Sequence, residues 1–582
     1  MRLWLLVLSL LPLALGQAEP VTIAQIQGSG QVSPLVDQTV SGVRGVVTLV
    51  RGTGFFMQEV IPDGDPATSD GIFVFLNRPP FLRLGSEVLV SGRVVESRAP
   101  TRPRDLPLTQ INARSADVQV LGMRPLPAPV VLRDLPDQVI DPDGIAFFER
   151  LEGMLVAVPD ARVVGPTNFF GEFVVVAPGD ARALTPSGHL RLRASDFNPE
   201  RISVDDNDSI ALRQLAVGAR VPWLVGALDY TFSNYKIQPQ LPPEVVPATS
   251  RRRQPLPRRQ GFTVASFNVE NLFDTVDDRE RSDDVPTPAE LALKLGKLTL
   301  AILGQLGAPD IVVVQEVENQ AVLSLLAGAL NRALQAPRGL RYAARSLGSS
   351  DQRSIEVGFL YRAERVELLD ARLATALLPD PAGAFTGTGP FEPGREPLIG
   401  RFRLGERELT IIGNHLKSKG GPQFGLLDRT TQEPIAPGSA GDDPLFGMVQ
   451  PPVLFTEQTR LAQVAYLSEL VRLLEAQDPG LLLLVAGDLN DFEFSRSLQV
   501  LEAAGLENLM FQVPSSERFT YIFEGNAEVL DHILVNTALH PFVRQAWVAH
   551  FNASFPAVLE ADPDVAARAS DHDPPVVVLR FS

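Results

Sequence analysis

The sequence predicts a molecule of two parts, an all-β region followed by an α/β domain that begins near residue 261. Two observations carry this. Up to Pro247 short alternating apolar segments are separated by Gly, Pro, Asp and Asn, whereas beyond it apolar runs alternate with segments of helical period. In the later part, polar clusters adjoin strongly apolar runs: Asn268 after TVASF, Glu316 after IVVVQ, Asn414-His415 after LTIIG, Asp488 to Asn490 after LLLLVAG, Asp531-His532 before ILV, and Ser570 to Asp573 before VVVLRF. Apolar runs bounded by turn residues read as buried strands, which places carboxylates, amides and imidazoles at strand ends.

Residues 1–18 open with Met-Arg, continue through WLLVLSLLPLAL and end on Gly16-Gln17-Ala18, the pattern of a secretory signal. The mature protein is therefore expected to be exported and soluble. No later stretch of sequence is long and apolar enough to span a bilayer, so stable membrane insertion is not expected. Residues 19–130 contain VSGVRGVVTLV, GIFVFLN and SEVLVSGRVVE, which suit a small barrel of the oligonucleotide-binding type. Phe55, Phe56, Phe73, Phe75 and Phe81 supply aromatics on which bases could stack, with several of them needed for the core. Residues 131–248 hold a second β domain, a barrel or a sandwich, with no strict internal repeat.

Residues 249–260 are rich in Arg and Pro. Arg251, Arg252, Arg253, Arg258 and Arg259 form either a solvated linker or a tether for substrate phosphates. Asp63, Asp65 and Asp70, like Asp205 to Asp208, read as solvated loops, with a Ca²⁺ site as the alternative. From 261 to 582, PAELALKLGKLTLAILGQL, QAVLSLLAGALNRALQ and TEQTRLAQVAYLSELVRLLEAQ are helices between strands, the first with Pro288 near its start and Gly307 beyond its end. The long loop from Gly420 to Phe455 is rich in Gly, Pro and Asp, and loops of that length are usually functional.

The chain has no cysteine, which excludes disulfides, thiolate nucleophiles and cysteine-held zinc. A net charge of −17 argues against a broad phosphate-binding surface, so a polyanionic substrate needs metal ions and local basic groups to approach.

The segments SFNVENLF, QEVEN, GNHLKSKGG, GDLND, LDHILVN and SDHDPP, in that order, resemble the endonuclease/exonuclease/phosphatase superfamily across the whole C-terminal domain. IQGSG, GFFMQE, DGDPATSDGIFV and GDDPLFGMVQPP resemble its secreted bacterial extracellular-nuclease branch, which carries an N-terminal oligonucleotide-binding-like region. The resemblance implies an α/β fold of four layers, two packed mixed β-sheets flanked by helices. It implies a secreted, divalent-metal-dependent nuclease that hydrolyses phosphodiester bonds of DNA, with RNA as an alternative substrate. Fold alone does not settle function, and the runner-up is a phospholipid or phosphate-ester hydrolase of the sphingomyelinase type using the same site. A third reading, a binding protein with a dead hydrolase domain, is opposed by the full set of candidate ligands.

The chemistry needs charge neutralisation at the phosphate, a deprotonated water and a stabilised leaving oxygen. The expected cofactor is Mg²⁺, with Mn²⁺ or Ca²⁺ as alternatives, held by Glu316 with Asn268 and Asp571. By similarity, His572 contacts the scissile phosphate and moves a proton, while Asp531 accepts its other ring N–H and raises its pKa. Asp488 orients or deprotonates water, and Asn490 donates to a phosphate oxygen. The two are expected on an extended segment, with their side chains on one side, and a structural Asx turn is the alternative. His415 matches the position that contacts phosphate or protonates the leaving oxygen. Glu356 is either its orienting carboxylate or an exposed strand residue. Lys417 and Lys419 are candidate phosphate-binding groups. His532 alternates to the opposite side of its strand, and His189, His540 and His550 lie outside the clusters.

Overall fold

The computed structural model describes residues 21–98, 106–133, 135, 147–206, 214–232, 234–248, 261–335, 341–378, 390–391, 394–419 and 456–581. The expected signal segment 1–18, the Arg/Pro-rich linker, the 420–455 loop and Asn207-Asp208 lie outside them. The chain divides into two compact units. One comprises Met1–Arg98, Pro107–Pro129 and Glu149–Leu155, the other Ala99–Leu106, Val130–Phe148 and Val156–Ser582.

The first unit is a closed barrel. Thr39–Arg51 pairs with Gly54–Gln58, then the order runs through Gly71–Phe75, Leu108–Asn112 and Ser86–Ser97 back to Thr39–Arg51, with Val118–Met123 added at Ser86–Ser97. Gly71–Phe75 and Leu108–Asn112 are parallel, and the other pairs are antiparallel. Alternate side chains fill the interior, among them Val43, Val47, Phe55, Met57, Ile72 and Ile111. Of the aromatics expected to stack bases, Phe55 and Phe56 are fully buried and Phe73 is nearly so. Phe75 is half-buried, which leaves Phe81 alone of the five exposed. The pleat sends Phe55 into the barrel interior, whereas Phe56 and Phe73 lie on the opposite face with ring centroids 4.9 Å apart, so the expected platform is largely buried. The DGDPATSDG loop closes on itself: Asp65 N–H donates to Asp63, Ala67 N–H to Asp65, and the Thr68 hydroxyl to Asp63.

The second β region repeats the barrel's strand order. Leu155–Gly165, Phe173–Val176, Ile202–Val204, Asn234–Pro239 and Arg220–Thr231 follow one another and return to Leu155–Gly165, with Ile202–Val204 and Asn234–Pro239 as the parallel pair. The repeat is one of topology. The sequence shows none because any alternating apolar pattern serves the same strand position.

From Gly261 onward two six-stranded mixed sheets form. One has the order Tyr342–Ser346, Glu356–Arg362, Ile311–Val317, Phe262–Leu272, Pro575–Leu579, Val543–Val548. The other runs Val366–Leu373, Leu398–Leu404, Arg407–His415, Leu483–Asp488, Asp531–Asn536, Leu506–Asn508. The alternation of Ile311–Val317 shows how they layer. Ile311 and Val313 enter a cluster with Ile411, Leu484 and Ile533 of the other sheet. Val312 and Val314 face the helix residues Leu298, Leu323 and Leu326. The second sheet's outer face, with Ile412, Leu483 and Val485, packs on Val464, Leu467 and Leu498. Helix, sheet, sheet, helix is the resulting stack.

The three predicted helices form. Pro288–Thr299 has Thr287 as N-cap with a reciprocal Glu290 bond, and continues into a π-helical turn, Leu300–Gln305. Gln320–Ala333 is capped by Asn319, and Glu457–Gln477 stops at Asp478. A small third sheet joins the second barrel to this α/β part: Leu190–Arg191 pairs in parallel with Asn526–Glu528, which pairs with Tyr521–Phe523.

Candidate active site

The strand ends converge at one rim of the two sheets. Each polar cluster follows or precedes a run that is buried on both faces, so the side chains beyond the run are the first able to reach solvent or ligand. The strand ends are also irregular. Pairing of Ile311–Val317 shifts between Val314 and Val317, and Glu316 takes a left-handed φ of 61°. A bulge of this kind re-aims a side chain, and here it turns the Glu316 carboxylate toward Asn268.

Asn268 is the bridge. Its Nδ2 donates to Glu316 Oε1 at 3.3 Å and to Asp488 Oδ2 at 3.1 Å, while its Oδ1 accepts from the Glu270 N–H at 3.0 Å. His415 Nε2 lies 3.5 Å from Asp488 Oδ2 and 3.8 Å from Glu316 Oε1. Across from it, His572 Nε2 is 3.9 Å from the same Asp488 oxygen and 3.9 Å from Asp571 Oδ1, and its Nδ1 is 2.7 Å from Asp531 Oδ2. Residues spread over three hundred positions thus share one pocket.

The segment from Asp488 to Asn490 differs from the expected extended conformation. Asn490 has a φ of 49°, and its N–H donates to Asp488 Oδ1 at 2.9 Å. An Asx turn of this kind suits Asn, which tolerates the left-handed region. It occupies one carboxylate oxygen and leaves Oδ2 facing His415, His572 and Asn268. Asn490 Nδ2 itself donates to the Leu416 carbonyl at 3.2 Å.

The electrostatics separate the two imidazoles. Burial, then the Arg395, Arg353 and His572 charges, holds His415 well below the usual histidine range, so it is neutral near pH 7. Burial also lowers His572, but Asp531, Asp571 and Asp488 together outweigh it and hold the imidazolium well above that range. Burial pushes Asp488 up to about 6, opposed by the His572 charge.

Other expected residues fall differently. Lys419 is 5% exposed, its Nζ 4.3 Å from the Phe492 ring centroid and 4.0 Å from Glu528 Oε2, so protein groups already occupy its ammonium. Lys417 is half-buried beside Ser418. Glu356 is buried, and burial pushes it up to about 7, opposed by the Ser346 hydroxyl and the Gly348 amide. Its Oε1 and the Nδ1 of His415 both lack a hydrogen bond, and none joins the two residues. His532 is structural: its ring bonds Asn508 and the Asp491 carbonyl.

Several supporting residues carry no sequence signal. Arg395 donates from Nε and Nη2 to the His415 and Leu416 carbonyls. Asn552 Nδ2 donates to the His572 carbonyl at 2.6 Å. Asp573 accepts the N–H groups of Phe551 and Asn552 and bonds His550 Nδ1 at 2.9 Å, so His550 braces the His572 loop. Tyr521 lays its ring against His572, with centroids 4.8 Å apart. His189, buried in the second barrel, bonds Ser554 Oγ at 2.9 Å and packs on Phe519, which stacks on His550. A signal was present only for His550, which lies a few residues from the last polar cluster.

The donor set fits a hard divalent cation. The carboxylates of Glu316 and Asp488 are held close by one amide, and such ions prefer oxygen ligands with remaining positions filled by water. Among the described residues, Asp488, Asp531 and His572 also bring ligand atoms within 4.8 Å of one another. Their geometry favours a hydrogen-bonded relay, since Nδ1 of His572 is already committed to Asp531.

The model of the endonuclease/exonuclease/phosphatase family matches residues 265–572. A second model, described as a domain of unknown function, matches residues 120–249. No curated protein matches the chain. Among solved structures, a mannosyl-6-phosphatase of Bacteroides thetaiotaomicron is 15% identical, aligning 55% of this chain with 100% of its own at a TM-score of 0.34. D. rerio TDP2 complexed with a single-strand DNA product is 15% identical over 56% of this chain and 100% of its own, TM-score 0.33. The human Nocturnin catalytic domain with bound sulfate is 15% identical over 56% and 96%, TM-score 0.32.

Proposed function

Since the chain belongs to the endonuclease/exonuclease/phosphatase family, we propose that it is a secreted, divalent-metal-dependent nuclease that hydrolyses phosphodiester bonds of DNA. The observation that carries this is the shared Asp488 oxygen, which faces a neutral imidazole on one side and a carboxylate-held imidazolium on the other. A phosphodiester has charge to neutralise and a proton to remove from water, and this arrangement supplies a group for each.

The His572 imidazolium, fixed by Asp531, binds a phosphate oxygen and donates a hydrogen bond as charge builds in the transition state. Asp488, ionised above about pH 6, accepts the proton of the attacking water. His415 hydrogen-bonds the phosphate as a neutral group and adds no charge beside Asp488. Glu316, with Asn268 and Asp571, would hold a divalent ion, Mg²⁺ in the first instance, which would supply charge neutralisation at the phosphate. The closed barrel of the first unit, with its parallel pair of strands, is read as oligonucleotide-binding-like.

A second reading, hydrolysis of a phospholipid headgroup, draws on one observation: Phe169 and Phe170 are adjacent and 67% and 81% exposed. No helix among the described residues is long and apolar enough to cross a membrane. Incubating the protein with plasmid DNA and Mg²⁺, beside sphingomyelin vesicles and inositol phosphates, separates the readings. Loss of DNA alone supports the nuclease, and cleavage of sphingomyelin with DNA intact overturns it.

A further inference from the structure

A cavity of about 880 Å³ opens against the proposed catalytic centre, within the range of roughly 300–1,000 Å³ typical of small-ligand pockets. At one end its wall is Asp571 and Tyr521, the two residues that flank the His572 ring. Elsewhere it is built from two turns of the second barrel. Phe169 and Phe170 lie between strands Leu155–Gly165 and Phe173–Val176, and Phe232 follows Arg220–Thr231.

These rings are held where water should disfavour them. Phe169, Phe170 and Phe232 are 67%, 81% and 59% exposed. The first turn is fixed: Asn168 Oδ1 accepts the N–H groups of Phe170 and Glu172, and Asn168 Nδ2 donates to Glu172. Phe232 adopts a φ of 52°, a left-handed conformation that is costly for an aromatic residue. Strain and exposed apolar surface coincide on the wall of one cavity, which is the signature of a ligand surface.

The remaining wall indicates which ligand. Glu172, Asp205, Asp206, Glu270 and Glu524 line it and outnumber its two cations, Arg568, paired with Glu560, and Lys236, paired with Glu172 and Asp205 and 5.2 Å from the Phe232 ring centroid. Phosphates are repelled from such a wall, and planar groups bearing N–H donors are accepted by it. Nucleobases combine a π-face for stacking on phenyl rings with exocyclic amines that donate to carboxylates.

We propose that this cavity receives unpaired bases next to the scissile phosphate, so that the preferred substrate is single-stranded or locally unpaired nucleic acid. The inference rests on the nuclease reading above. It assigns the second barrel a part in substrate recognition, with Phe169, Phe170 and Phe232 as the stacking surface.

The test compares the full chain with its Phe169→Ala/Phe170→Ala/Phe232→Ala variant on two phosphodiesters, both with Mg²⁺. One is a short single-stranded DNA oligonucleotide, and the other is bis(p-nitrophenyl) phosphate, which has no base. The expected result is a fall of about tenfold or more in the ratio of kcat/KM values, oligonucleotide over small diester. An unchanged ratio, with both substrates cleaved, overturns the base site and leaves the nuclease reading intact. Cleavage of the small diester but of no oligonucleotide by the native chain overturns the nuclease reading, and the base site with it. A variant that keeps its oligonucleotide selectivity and loses binding to sphingomyelin vesicles assigns the phenyl rings to a lipid surface instead.

Discussion

At the scale of single residues, Asp488 and His572 do different work from Glu316, and their variants should differ in kind. His572 carries the charge that Asp531, Asp571 and Asp488 sustain, and Asp488 keeps one oxygen turned into the site while the other holds the Asn490 turn. His572→Ala and Asp488→Ala are each expected to lower kcat by about 10²-fold or more, the usual scale for acid–base groups. Near-native turnover in both variants would refute the assignment. Glu316→Ala should chiefly raise the Mg²⁺ concentration needed for half-maximal rate, because it removes a carboxylate of the cation-holding set and leaves the imidazoles in place. A superimposable Mg²⁺ titration would count against Glu316 as a ligand. Every residue in this group was legible in the sequence, since strand-end Asp, Asn, Glu and His stand out against apolar runs. Arg395, Asn552 and Tyr521 were not. They act through backbone carbonyls and ring contacts, which leave no pattern in the chain.

At the scale of elements, the site depends on how closely neighbouring strands approach. Gly487 precedes Asp488 on Leu483–Asp488 and lies opposite Asn414 on the parallel Arg407–His415. A Cβ at Gly487 would come within 2.0 Å of the Asn414 carbonyl oxygen, and its φ of 153° disfavours other residues as well. Gly487→Ala must push these two strands apart, carrying Asp488 away from His415. The expected cost is about 1–3 kcal/mol of stability, as for other overpacked sites, together with a marked loss of activity. Urea melts and steady-state rates on the purified variant measure both, and a variant native in both respects would show that the strands have slack. The strands themselves were readable because buried runs such as IVVVQ leave little choice. The conformations of their ends were not readable. The bulge at Glu316 goes with a hydrogen bond from the distant Asn271 N–H, and the Asx turn at Asn490, open to the sequence only as an alternative to an extended segment, is made by the local bond to Asp488.

At the scale of the whole molecule, the second barrel and the α/β part belong to one compact unit, and their joint combines an apolar cluster of Leu192, Phe197, Phe492 and Leu530 with buried polar groups. Arg201 is fully buried there, donating to the carbonyls of Asn198 and Glu524, and Asn198 Nδ2 meets Asn526 Oδ1 at 2.6 Å. None of this was legible, because a lone Arg or Asn in a β-rich stretch reads as solvated surface. Beside Arg201 sits Glu200, 3% exposed, with its Oε2 unpartnered. Burial pushes Glu200 up to about 7 from an ordinary 4.5, with the Asp196 charge adding to it. Between those two values the folded chain keeps a proton that the unfolded chain has lost. The unfolding free energy therefore falls as pH rises through this window. The contribution is fully present below the unfolded value and is lost once pH exceeds the folded one, on the order of 3 kcal/mol for a shift of this size. Glu200→Gln holds a neutral amide at every pH and escapes that loss. The variant's Tm relative to the native chain should accordingly rise as pH is raised from about 5 to about 8, in melts followed at matched ionic strength. A difference that stays constant across the range would mean that Glu200 remains ionised in the fold, with the neighbouring Arg201 charge offsetting its burial.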